Sequence, residues 1–321
     1  MYVVFIAVFL LNLCNSSNLY AQEGLQAIIF DWAGTILDYG CQAPALSFKK
    51  IFNNEGIEVS EEEVRAPMGL EKKEHIAQML ENPSIERRWL DKYGEKPKLE
   101  DVERLYLAFI PAQMQILNDY SLLIPGALET SQWIQEKGWL IGSSTGYNKE
   151  MLDLSSKKAA EQGFKVHSMV SADMVSQGRP APDMIKKNCE ILKVESFRTV
   201  KVDDSIHGII AGHHAGCWTI YVYQTSSDLG KSEIELKEMS EEEREELCSK
   251  VKEKGAKYAH YSIASIAQLP DYLEMIDKLI SLGYSSKDFS SANPAPIPEK
   301  EKNRAKNFVD IREENKEKSF S

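Results

Sequence analysis

The chain has 321 residues, enough for a sizeable core and for more than one domain. Hydrophobic residues make up 43% and charged residues 27%, the composition of a soluble globular protein. A net charge of −11 argues against non-specific nucleic-acid binding, so no nucleic-acid partner is expected.

The N-terminus carries an unbroken apolar run from Val3 to Leu11, well short of the roughly 20 residues that a membrane span needs. The small residues Cys14, Ser16, Ser17 and Ala21 follow it. This predicts a cleaved signal peptide over 1–21, with no stable membrane span left afterwards. The chain would then enter the secretory pathway and end up periplasmic or extracellular; without a working leader it would be cytoplasmic. No Lys or Arg precedes the run, so an uncleaved anchor or a misplaced start are the alternatives.

The first core piece, 22–38, is built on Ala27-Ile28-Ile29-Phe30-Asp31-Trp32-Ala33-Gly34-Thr35. Apolar residues run into an aspartate and then a Gly-Thr turn. That is the pattern of a buried parallel strand with a carboxylate at its C-terminal end, where open α/β sheets bind their ligands. A strand-terminal aspartate capping the next turn is the plainer alternative.

From 39 to 120 the chain reads as helical. Ala45 to Asn54, Glu61 to Arg65, Glu71 to Leu80 and Val102 to Ile116 have helical character, predicting a helical cap inserted over the crevice. The core resumes over 121–282, where Ile124-Pro125-Gly126 opens a helix through Trp133. Strands are predicted at Trp139 to Thr145, Met169 to Ser171, Thr199 to Asp204 and Trp218 to Tyr223. Helices separate them, which makes a doubly wound parallel sheet. The acidic run 241–246 reads as a solvated helix face. From 283 to 321 Ser, Pro, Lys, Glu and Asn dominate and predict a disordered tail. The five cysteines form no CxxC pair and read as free buried thiols, although an oxidising compartment would permit a disulfide.

Four strand or loop ends carry chemistry: Asp31, Thr145, Arg179 before Pro180, and Asp204. A carboxylate nucleophile, a hydroxyl donor, a cation and a second carboxylate suit phosphoryl transfer with a magnesium ion. Asp31 and Asp204 are hard oxygen ligands, Thr145 and the Gly146 amide can hold phosphate oxygens, and Arg179 can neutralise charge.

In that order, Phe-Asp-x-x-Gly-Thr, Ser-Thr-Gly, Gly-Arg-Pro and Val-x-Asp resemble the haloacid dehalogenase superfamily with a helical cap. The strings Phe30 to Thr35, Asp38-Tyr39-Gly40-Cys41, Arg65-Ala66-Pro67-Met68-Gly69-Leu70-Glu71-Lys72, Ser144-Thr145-Gly146-Tyr147 and Gly178 to Pro182 resemble one branch of it, the phosphonoacetaldehyde hydrolases or phosphonatases. The resemblance spans about Gly24 to Ile280. It implies a Rossmann-like parallel core with a helical cap, a magnesium cofactor, a small phosphonate substrate, and a homodimer formed through the cap.

The same resemblance implies the site. Lys72 would form a Schiff base with the substrate aldehyde, and Asp31 would attack phosphorus, giving an aspartyl phosphate, acetaldehyde and phosphate. It explains Ala33, which stands where most phosphatases of the superfamily carry an acid; the Ala33 carbonyl would still face the metal. Met68, Lys72 and His75 fall at i, i+4 and i+7, so on one helix they would share a face, Met68 desolvating Lys72 and His75 shuttling protons. Lys73 is expected on the surface. Cys41 and Tyr147 match pocket-lining residues of the family.

One motif departs. Phosphonatases usually have Gly-Asp, three residues, then Asp, whereas this chain reads Asp203-Asp204-Ser205-Ile206-His207-Gly208. The loss of a carboxylate at 208 leaves an impaired, phosphonate-binding homologue as one rival and a phosphatase acting on phosphate esters as another.

Overall fold

The protein is described here from a computed structural model over residues 24–290. The predicted signal peptide and most of the predicted tail lie outside the described residues. Among those residues, no helix is long and apolar enough to cross a membrane.

In chain order the strands are β1 (Ala27–Phe30), β2 (Leu140–Thr145), β3 (Ser168–Ser171), β4 (Thr199–Asp203), β5 (Trp218–Val222) and β6 (Tyr261–Ile263). They form one sheet in the order β3-β2-β1-β4-β5-β6, and every neighbouring pair is parallel. The order reverses at β1, so β1 lies between β2 and β4 and the crevice opens beyond its C-terminal end. β1 and β5 are buried along their whole length, as strands covered on both faces must be.

Between β1 and β2 the chain makes α1 (Gln42–Asn54), α2 (Glu61–Arg65), α3 (Lys72–Glu81), α4 (Pro83–Tyr93) and α5 (Leu99–Leu117). These helices bury a cluster of their own, including Phe48, Phe52, Ile76, Met79, Trp89 and Phe109. The cluster reaches the sheet through Ala33, Cys41, Tyr147 and Met151. The second half of the chain supplies α6 (Ala127–Glu136), α7 (Lys149–Glu161), α8 (Asp183–Leu192), α9 (Ile206–Ala215), α10 (Glu233–Glu238), α11 (Glu241–Ala256) and α12 (Leu269–Ser281).

The sequence reading left α4 and β6 unassigned. α4 is started by the Asn82 side chain, which accepts from the Ser84 amide, with Pro83 in the first turn. Its buried face is only Ile85 and Trp89, an apolar stripe thinned by a charged run. β6 is three residues long at the sheet edge. The packing also runs past 282: Ser286 Oγ donates to the Gly216 carbonyl at 3.1 Å, and Phe289 packs against Trp218 at 5.5 Å.

Phe48 on α1 stacks on Phe109 of α5 at 4.4 Å and on His75 of α3 at 3.8 Å, which ties three helices of the insert together. Phe109→Ala is therefore expected to cost about 3–5 kcal/mol in urea denaturation. A loss below about 1 kcal/mol would show that this stack does not hold the insert together.

Candidate active site

Parallel pairing brings the sequence-predicted carboxylates to one place. Phe30 is level with Ser143 of β2 and Val202 of β4, so the residues that follow, Asp31, Ser144 and Asp203, emerge side by side. The Asp31 amide is fixed by the Val202 carbonyl at 3.0 Å. Carboxylate oxygens of Asp31, Asp203 and Asp204 lie within 4.8 Å of one another, and all three residues are buried.

Arg179 enters from the loop after β3. Its Nη2 donates to Asp31 Oδ1 at 2.8 Å and to the Ser144 carbonyl at 2.5 Å, and it lies 3.2 Å from Asp203 Oδ2. Burial opposes its charge, but Asp203 and Asp31 outweigh that and hold the guanidinium firmly protonated. Lys201, wholly buried in β4, places Nζ 2.8 Å from Asp203 Oδ2. Burial works to raise the proton affinity of Asp203, yet Arg179 and Lys201 hold it below the usual carboxylate range.

Asp204 differs. Its described donors are neutral: the Ser227 amide at 2.9 Å, Cys41 Sγ at 3.3 Å and Thr35 Oγ1 at 3.4 Å. Burial, with Asp31 and Asp203 beside it, pushes its proton affinity well up. Three buried carboxylates with one lacking a cationic partner among the described residues fit a hard divalent cation. Such an ion prefers oxygen ligands and would reverse the penalty on Asp204.

Cys41 is brought there by a left-handed turn. Asp38 and Cys41 have φ of 57° and 51°, and the Asp38 carboxylate accepts from the Gln42 and Ala43 amides at 2.9 and 3.1 Å to start α1. Burial and the Asp204 charge keep the Cys41 thiol protonated.

Lys72 opens α3 and is 5% exposed. Its Nζ stands 5.3 Å from the Tyr147 ring centroid and 5.6 Å from that of Phe48. Burial lowers its pKa, partly offset by the Asp31 carboxylate. A close backbone approach fixes this position: a Cβ at Gly146 would collide with the Leu70 carbonyl, and one at Gly69, φ 93°, with Ser205. His207 Nδ1 also donates to the Met68 carbonyl at 2.8 Å.

Asp31, Ala33, Cys41, Met68, Lys72, Thr145, Gly146, Tyr147, Arg179 and Asp204 therefore line one cavity of only about 30 Å³. That is room for a water or two. A hollow of about 600 Å³ between His213, Tyr258, His260 and Phe289 is larger but shares none of these residues. Thr145 Oγ1 accepts from the Tyr147 amide at 3.2 Å, which leaves its proton to donate.

Two expectations are corrected. Met68 is not on the helix of Lys72, because the chain turns at 66–69 and α3 starts at Lys72, capped by Glu71. The two side chains meet in the cavity through that turn rather than by helical spacing. His75 does not line the cavity. Its Nε2 donates to the Val64 carbonyl at 2.8 Å, its ring stacks on Phe48, and burial drives its pKa well below the usual value. It stays neutral and supports the packing beneath Lys72. Lys73, as expected, is at the surface, paired with Glu103.

Lys201, Ser144, Ser205 and Ser227 were not singled out. Lys201 had a signal, a lysine between Val200 and Val202 in an otherwise apolar strand. Ser144 and Ser205 lay inside the motif strings without being given a role, and Ser227 had no signal.

The haloacid dehalogenase-like hydrolase family model matches residues 25–216. The chain is 37% identical over 262 residues to a phosphonoacetaldehyde hydrolase of Hahella chejuensis, covering 81% of this chain and 89% of that one. It is 39% identical over 282 residues to a bifunctional phosphonoacetaldehyde hydrolase/aminoethylphosphonate transaminase of Clostridioides difficile, covering 86% of this chain but only 44% of that protein's length. The crystal structure of a phosphonoacetaldehyde hydrolase-like protein from Oleispira antarctica superposes with a TM-score of 0.80 at 36% identity, over 82% of this chain and 96% of that one. On the match over residues 25–216 and on 37–39% identity to relatives over some four-fifths of its length, the chain belongs to the phosphonoacetaldehyde hydrolase family of the haloacid dehalogenase-like hydrolases.

Proposed function

We propose that the protein hydrolyses the carbon–phosphorus bond of phosphonoacetaldehyde to acetaldehyde and phosphate. The observation that carries this reading is a buried lysine, Lys72, whose pKa burial lowers, lining the same cavity as the Asp31 carboxylate. An amine that can attack an aldehyde and a carboxylate that can attack phosphorus then face one small substrate.

The steps follow from the chain's own groups. Neutral Lys72 adds to the aldehyde carbon and loses water, giving an imine that takes up one proton from solvent to become the iminium. Asp31 attacks phosphorus, the carbon–phosphorus bond breaks, and its electron pair moves into the iminium as an enamine. The departing carbon therefore needs no acid, which accounts for Ala33 where an acid would otherwise stand. Protonation at carbon and hydrolysis release acetaldehyde and Lys72, and water cleaves the aspartyl phosphate. Arg179, Thr145 Oγ1 and the Gly146 amide orient the phosphonate oxygens. Magnesium, held by Asp31, Asp204 and the Ala33 carbonyl, would neutralise phosphonate charge that otherwise repels the incoming carboxylate.

The cavity is too small for the substrate as it stands, so the 39–120 insert acts as a cap that opens for binding and closes for chemistry. Cys41, Met68 and Tyr147 shape the space around the aldehyde. A homodimer through the cap belongs to the same proposal, and light scattering should then give twice the 36.3 kDa chain mass.

Phosphate release from phosphonoacetaldehyde with magnesium tests the reading. Lys72→Arg and Asp31→Ala should each lower kcat by at least about 10³-fold, as removal of a reacting group does. Turnover untouched by Lys72→Arg would overturn the imine route and favour ester phosphatase chemistry.

A pH dependence follows as well. Lys72 reacts only when neutral, and burial lowers its pKa, so a larger fraction is competent at neutral pH than for an exposed lysine. Imine formation should fall as pH falls, with its midpoint below the roughly 10.4 of a free lysine. A midpoint at or above that value, measured by aldehyde-adduct formation against pH, would contradict the placement of the amine.

A further inference from the structure

Among the described residues, Cys41 belongs to the active site and Cys248 packs elsewhere, on α11. The remaining two cysteines meet. Cys189 lies near the end of α8, and Cys217 is the residue before β5. Val200 of β4 is level with Trp218 of β5, so Thr199 and Cys217, one residue earlier, stand side by side where the two strands begin, with side chains on one face. Cys189 covers that face. Its Sγ is 3.9 Å from Thr199 Oγ1 and 3.8 Å from Ser196 Oγ. Both cysteines share one small apolar cluster with Ile29, Ile185, Ala211 and Ala215, and their thiols hydrogen-bond each other.

The two thiols are unequal. Cys217 is fully buried, whereas Cys189 keeps 6% of its surface exposed. The hydrogen bond from Cys217, joined by those of Ser196 and Thr199, outweighs burial and brings the Cys189 pKa down to about 7. The same hydrogen bond, with burial, pushes Cys217 well up. Near neutral pH Cys189 is therefore partly thiolate, the form that attacks a disulfide, with a protonated thiol beside it.

We propose that Cys189 and Cys217 are a dithiol that closes to a disulfide, pinning α8 to the start of β5, when the chain meets a small-molecule disulfide. The Cys189 thiolate attacks one sulfur of that molecule, forming a mixed disulfide and releasing a first small thiolate. This thiolate takes the Cys217 proton. The Cys217 sulfur then attacks Cys189 Sγ, and the second small thiolate leaves and is protonated by solvent. Two protein thiols are oxidised and one small disulfide is reduced to two thiols.

The bond closes a loop of about 30 residues, and such a cross-link stabilises chiefly by restricting the unfolded chain. Thr199 begins β4 and Asp203 ends it, so the pair sits at the end of the sheet away from the carboxylates. The proposal is thus independent of the reaction assigned to them. A secretory route, expected from the sequence, would bring the chain to such disulfides.

The test incubates the full chain with oxidised glutathione at neutral pH, without substrate, and maps its peptides by mass under non-reducing conditions. The expected product is a cross-link between the peptides carrying Cys189 and Cys217, with two hydrogens lost and no glutathione retained on either residue. Tm should rise by at least about 4 °C and fall back on reduction. In Cys217→Ser the closing step is missing, so glutathione should stay on Cys189 and Tm should not rise. Glutathione retained on Cys189 of the wild-type chain, both thiols left free, or a cross-link through Cys248 instead would overturn the pairing. A cross-linked chain with unchanged Tm would overturn the pinning of α8.

Discussion

The site depends on one imbalance of buried charge. Asp31, Asp203 and Asp204 converge at the ends of β1 and β4, against Arg179 and Lys201. Asp203 takes both cations and stays ionised, while Asp204, left with neutral donors, is driven toward its protonated form. Buried carboxylates in that state are costly unless a further cation arrives. The same fold that pays this cost holds Asp31 through its amide to the Val202 carbonyl of β4 and through the Arg179 guanidinium, brought in by the loop after β3.

Lys72 is placed by a different device. The turn 66–70 is pressed onto the core where Gly69 meets Ser205 and Gly146 meets Leu70, so an amine borne by the helical insert arrives over chemistry borne by the sheet. Desolvation between Phe48 and Tyr147 then lowers its proton affinity. Beneath it, His75 stays neutral in a stack of aromatic rings, and its contribution is to hold Phe48 rather than to carry protons.

Much of this was legible in the chain. The apolar runs ending at Asp31 and Asp204 announced strand ends, and parallel pairing made their convergence unavoidable. Lys72 and Met68 line one cavity, but not through the helical spacing: periodicity assumes a continuous helix, and the positive φ of Gly69 interrupts it. Whether Asp203 makes up for the missing carboxylate at 208 was left open by the sequence, because only the packing shows that the Asp203 carboxylate fills the volume beside Gly208. α4 and β6 were missed where a charged run and a three-residue edge left too little apolar pattern to read.

The central claim is that one lysine, Lys72, carries the substrate carbon. Reduction with borohydride in the presence of phosphonoacetaldehyde, followed by peptide mass mapping of the full chain, tests it directly. The account predicts an alkylated amine on Lys72, absent without aldehyde and absent on the neighbour Lys73, which pairs with Glu103 at the surface. A protein left unmodified, or modified on Lys73 and surface lysines alone, would contradict it.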